Sequence, residues 1–296
     1  MEKTINVLTT FWRTQLAHTE DPTDVYTNAH IGWSNFWAFS EGLRLGITQN
    51  TLTLQYIQDA ASAFTQANNL APDEPRILGF LGYSRLTLGN ATQDADALAV
   101  GQENVTRSVE LWPQWAYFGA AYCLDANTPY NSPQFTQALD YYWANMDVCA
   151  NTAVDRINPD WVSYLDQETL EGPDRACWDN WIAPYNLESF FLIMGDAFVK
   201  AGNTEVAAIV YSNAKQLKYY ESWPFADLLE RRIANITDNV DKFRQAVSPD
   251  QPADPETSLL VNTSIACAIC HRGDADANYT PPAWVGETAN DYLVPF

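Results

Sequence analysis

Apolar side chains recur at helical spacing along most of this chain, and stretches of strict apolar–polar alternation are scarce. Ala60, Phe64 and Ala67 share one helical face, and Pro72 falls where that helix has to stop. This periodicity predicts an all-α protein. Of the 296 residues 47% are hydrophobic, including 11 Trp, 15 Tyr and 13 Phe, which is enough apolar material for a substantial buried core.

A second pattern is superimposed on the first. Between Phe190 and Tyr219 stand Gly195, Ala207, Tyr211 and Ala214, with Lys200-Ala201-Gly202-Asn203 marking a turn between two helices. The Ala60, Phe64, Ala67 and Pro72 set repeats the second-helix half. Val105, Ser108 and Pro113, and then Ala138, Tyr142 and Asn145, keep its spacing with degenerate residues. The pattern resembles the tetratricopeptide (TPR) repeat, in which a small residue on the first helix lets the second approach closely. The resemblance implies an irregular α-solenoid of about four helical hairpins with a concave face, over residues 30–246. Two insertions are expected to interrupt it, one from Asn90 to Gln102 and one over residues 150–184, which carries Trp161, Trp178 and Trp181.

The composition changes after Ala246. Ser248-Pro249-Asp250-Gln251-Pro252-Ala253-Asp254-Pro255 reads as a stiff connector, so the expected organisation is a helical body over 1–247, a connector over 248–256, and a terminal segment over 257–296. The tail contains Pro281-Pro282 and Pro295, yet its Tyr279, Trp284, Tyr292 and Phe296 suggest chain packed against the body.

The terminal segment carries Cys267-Ala268-Ile269-Cys270-His271. Two cysteines three apart on a helical turn face the same side, and the adjacent histidine can meet the same porphyrin. The pentad resembles the covalent attachment motif of monohaem c-type cytochromes, which implies one haem c, with thioethers at Cys267 and Cys270 and His271 as proximal iron ligand. A zinc site lacks an evident fourth ligand, and a redox dithiol lacks the βαβ context expected for it. The candidates for a sixth iron ligand are His30, beside Trp33, Phe36 and Trp37, and then His18; Met1, Met146 and Met194 complete the set.

Of the remaining cysteines, Cys149 at a helix end and Cys177 in the long insertion are the expected disulfide, and Cys123, among Ala120, Ala121, Tyr122 and Leu124, reads as a small buried apolar residue. Asp274, Asp276 and Asn278 have the alternate spacing of a calcium loop, but Tyr279 stands where the loop needs Gly. Asn-x-Ser/Thr sequons begin at Asn90, Asn104, Asn235, Asn262 and Asn278. No Ser-His-Asp set, P-loop or dinucleotide fingerprint is visible, so electron carriage or binding is expected rather than enzyme catalysis.

A net charge of −21 argues against nucleic acid and anionic membranes as partners, and a basic redox protein or further copies of the chain fit better. There is no membrane-length apolar run, and Met1 to Thr10 lacks the apolar core of a signal peptide. Because haem attachment to this motif takes place outside the cytoplasm, a periplasmic or extracellular protein with its signal peptide removed is expected. The function expected from these features is electron transfer by one haem held on a helical body. An interaction scaffold or filament subunit with a structural haem is the alternative.

Overall fold

The computed structural model describes residues 19–44, 51–245 and 267–271. His18, Met1, the 248–256 connector, and the tail with Asp274, Asp276 and Asn278 lie outside them, as do the sequons at Asn262 and Asn278. The described residues are helical and contain no β-strand. They fall into two compact units, 19–39 with 51–111, and 40–44 with 112–245 and 267–271.

The first unit contains most of α1 (Val25–Arg44), then α2 (Thr51–Leu70), α3 (Pro75–Thr92) and α4 (Ala95–Leu111). Asp24 opens α1 by accepting a hydrogen bond from the Thr27 amide at 2.8 Å. Pro75 occupies the first position of α3, where its missing N–H costs nothing, and Glu74 accepts from the Arg76 amide. The core is aromatic: Trp33 meets Phe64 and Phe80 edge-on, and Phe64 and Phe80 stack at 5.6 Å. Helices α3 and α4 touch through glycines, since a methyl on Gly82 would lie 2.6 Å from Val105 and 2.9 Å from the Gly101 carbonyl.

The expected insertion between Asn90 and Gln102 is not one. Residues up to Thr92 finish α3, and α4 has begun by Ala95. Gln93 takes a left-handed conformation, φ 58°, and its amide closes onto Gly89. Asp94 then caps α4 by accepting from the amides of Asp96 and Ala97. With Gln in place of the usual glycine at the helix end, a two-residue turn reads as polar loop.

The second unit takes in the end of α1 together with α5 (Pro113–Asn127), α6 (Pro133–Ala150), α7 (Asn186–Ala201), α8 (Thr204–Ala214), α9 (Ala226–Ala234), α10 (Asn239–Arg244) and the single turn α11 (Cys267–His271). Helix α6 starts on a Ser132 cap followed by Pro133, and Gly202, at φ 92°, ends α7 before Asn203 caps α8. Gly195 brings α7 onto α8, because a Cβ there would sit 2.2 Å from the Tyr211 ring. Between α6 and α7 the long segment forms two short 3-10 turns, Val162–Gln167 and Pro173–Cys177. Cys149 and Cys177 close it with a disulfide, Cα to Cα 5.5 Å. Trp161 and Trp178 anchor it with ring centres 5.7 Å apart, each no more than 2% exposed. Cys123 is fully buried, and burial pushes its thiol up to about 12.

Candidate haem-attachment site

A five-residue helix cannot stand alone, because nucleating one turn fixes several dihedrals for few hydrogen bonds. Its orphan backbone groups therefore need outside partners, and α11 finds them in the second unit. The Cys267 amide donates to Ser40 Oγ at 3.1 Å. The Ile269 carbonyl accepts from Ser189 Oγ at 2.6 Å and from Trp223 Nε1 at 3.0 Å. Next along, the Cys270 carbonyl accepts from the Tyr185 amide, at the start of α7, at 3.2 Å. Ala268 and Ile269, 3% and 1% exposed, join the apolar core of the unit.

This anchoring orients the chemistry. Residues three and four apart share a helix face, so Cys267, Cys270 and His271 lie together on the turn. Neither cysteine is in a disulfide. His271 Nδ1 lies 2.8 Å from the Ile182 carbonyl oxygen, which can only accept; Nδ1 therefore carries the proton and Nε2 keeps its lone pair. Burial also holds the imidazole below its ordinary titration range, with that backbone hydrogen bond opposing it, and so favours the neutral ring. A histidine with Nδ1–H fixed by a carbonyl is set up to ligate through Nε2.

The Cys270 thiol is not set up as a thiolate. Burial pushes Cys270 up to about 12; the Ser189 hydroxyl opposes this, while Cys267, Asp179 and Glu188 add to it. Among the described residues no three His, Cys, Asp or Glu side chains gather to hold a metal ion by themselves. Haem does not require such a gathering, since the thioethers form to the porphyrin edge and one imidazole meets the iron. The two thiols and the oriented imidazole on one helical turn thus fit a covalent haem.

Two residues beside the motif escaped the sequence reading. Glu188 is 0% exposed and Asp179 is 6% exposed. The oxygens of Glu188 make no close hydrogen bond and have only the Glu188 and Tyr219 amides and the Asp179 carboxyl near them, whereas Asp179 Oδ1 accepts from the Leu187 amide at 2.8 Å. Burial raises Glu188 to about 7; it also holds Asp179 well above the carboxylate range, with Glu188 adding to that shift. The available signal was a lone acid in the otherwise apolar Leu187-Glu188-Ser189-Phe190-Phe191.

The histidine considered for the distal position lies in the first unit. His30, on α1, has Nδ1 2.7 Å from the Tyr26 carbonyl and its ring edge-on to Trp33 at 5.4 Å. Met146 and Met194 are 1% and 0% exposed in the second unit's core, where packing accounts for them. No protein-family model matches the chain, and neither a curated protein nor a solved structure is significantly similar to it.

Proposed function

We propose that this chain is a c-type haem protein of electron transfer, in which a TPR-like helical body holds one covalent haem through Cys267, Cys270 and His271. The observation that carries the reading is the 2.8 Å contact between His271 Nδ1 and the Ile182 carbonyl, which leaves Nε2 as the only ring nitrogen able to bind iron. When bound, the haem supplies a one-electron carrier. The chain's own residues anchor the motif turn through Ser40, Ser189, Tyr185 and Trp223, and they keep the imidazole neutral. A dithiol exchanger is disfavoured because it needs a thiolate, and burial holds Cys270 protonated. The disulfide at Cys149–Cys177 supports a periplasmic or extracellular setting.

The experiment is expression into an oxidising compartment with haem-attachment machinery, followed by denaturing electrophoresis and absorption spectra. Expected is a Soret band and haem that stays with the chain after denaturation, lost in Cys267→Ala/Cys270→Ala. Purified protein without a Soret band would overturn the reading.

A further inference from the structure

The segment between Cys149 and Cys177 is built differently from the rest of the second unit. Its backbone is pinned from below by buried Trp161 and Trp178 and closed by the disulfide, while much of its upper surface is in solvent. Asp155, Asp160, Asp166, Glu168, Glu171 and Asp174 are all exposed on it. Its two arginines do not offset them outward. Arg156 is clamped to Asp147 and lies over Trp143, and Arg175 lies over Trp112 at 4.7 Å while donating to the Gly172 carbonyl.

Apolar side chains stand among these acids. In the described part of the second unit the large apolar residues most open to solvent are Ile157 at 79%, Tyr130 at 41%, Leu170 at 39% and Val162 at 37%. Tyr130 is covered on one face by Arg244 at 4.4 Å, and the other three all belong to this one segment. Isolated exposed apolar residues mean little, but three on a stapled, acidic, pre-ordered loop have the make-up of an interface. The same segment runs on through Trp178 and Asp179 to Ile182, whose carbonyl orients His271, so the surface and the motif turn share one stretch of chain.

We propose that the disulfide-closed loop 150–176 is the docking surface for a basic redox protein, one presenting lysines or arginines around an apolar patch. That the partner exchanges electrons rests on the haem reading above; that the loop prefers a basic protein rests on the loop's own residues. Long-range attraction to the carboxylates brings the partner in, and Ile157, Val162 and Leu170 give short-range contact once the faces meet.

The probe is a lysine-rich mitochondrial cytochrome c, titrated against the full-length holoprotein by calorimetry and stopped flow. Binding at about 20 mM ionic strength should weaken at least about tenfold at about 200 mM. Asp166→Lys/Glu168→Lys/Glu171→Lys should weaken it at least about tenfold through slower association, and Ile157→Ser about threefold through faster dissociation with the salt dependence kept. Asp59→Lys/Asp96→Lys/Glu103→Lys makes the same change of net charge on the first unit and should alter binding less than about twofold. All these positions are exposed, and circular dichroism checks that each variant folds. Equal loss in the loop and control variants, or no binding at low salt, would overturn the docking surface. The haem-free Cys267→Ala/Cys270→Ala protein should bind the probe as the wild type does, so a failed haem reading shows in the spectrum and a failed docking surface in the titration. If the reduced holoprotein reduces the probe equally fast with and without the loop triple, the surface does not serve electron exchange.

Discussion

The two compact units bury different things. In the first, the core is Trp33, Phe36, Phe64 and Tyr83 around close-packed glycines, with the half-buried Phe80 packed against Phe36 and Tyr83, and the one buried charged residue among those described is Arg76, held by Glu74 at 2.7 Å. The second buries Asp125, Asp179, Glu188, Asp196, Lys200 and Arg232. Lys200 donates to Asp125 Oδ1 at 3.1 Å and to the Thr128 carbonyl at 3.3 Å, and Asp125 also meets Tyr142. Arg232 lies 3.3 Å from Asp196, which also accepts from Tyr211, and covers Phe243 at 4.7 Å. An apolar core tolerates many packings of similar volume, whereas a buried charge network is stable only when every partner is in place. The unit that carries the Cys267–His271 turn is therefore the one whose arrangement is most narrowly specified, and the one that buries carboxyls whose titration is raised.

The largest expected effect tests that specification. Lys200→Met leaves Asp125 buried without its cation and should cost about 3 to 5 kcal/mol, whereas Lys200→Met/Asp125→Leu should recover most of it. Denaturant midpoints measure the cost, and hydrogen exchange should show protection lost within 112–245. Equal loss of protection in 51–111 would break the contrast between the units.

The next effect has the opposite sign. Glu188 has its folded value raised to about 7 from an ordinary 4.5, so the folded protein holds a proton that the unfolded chain has released across that window. The Glu188 contribution to stability is then fully present below about pH 4.5 and is lost as pH rises towards about 7, by about 3 kcal/mol at 1.36 kcal/mol per unit, and Asp179, Asp196 and Asp125, also raised by burial, add declines of the same sign. Glu188→Gln should make the decline with pH shallower and make the protein more stable than wild type at pH 8. A variant no more stable at pH 8, with the same slope between pH 5 and 7, would show that Glu188 finds compensation in solution. The smallest effect belongs to the first unit. A methyl on Gly32 would lie 2.6 Å from the Phe64 ring, so Gly32→Ala should cost about 2 kcal/mol, equally at pH 5 and pH 8.

Much of the helical layout was legible because burial repeats with the helix. Ala60, Phe64 and Ala67, and Ala207, Tyr211 and Ala214, are all 0% exposed, as the apolar spacing requires. The false insertion at Asn90 to Gln102 arose because a left-handed Gln93 ends α3 where glycine is usual. A backbone conformation adopted by an ordinary residue leaves little trace in composition. The division into two units within the 1–247 body was equally invisible, since apolar periodicity says that a helix has a buried face and not which neighbour covers it.

At the motif the two kinds of information separate. Residue order alone set two thiols and an imidazole on one helical turn, because the spacing of a helix is local. It also set the acidic balance, and the apolar Ala268-Ile269 pair between the cysteines that faces inward. Only the tertiary structure decided that the Ile182 carbonyl, 89 residues away, holds the His271 tautomer, that Ser189 and Trp223 satisfy the Ile269 carbonyl, and that Asp179 and Glu188 are buried beside Cys270. Those contacts join residues with no local pattern in common, and their energies depend on burial, which exists only once the chain has folded.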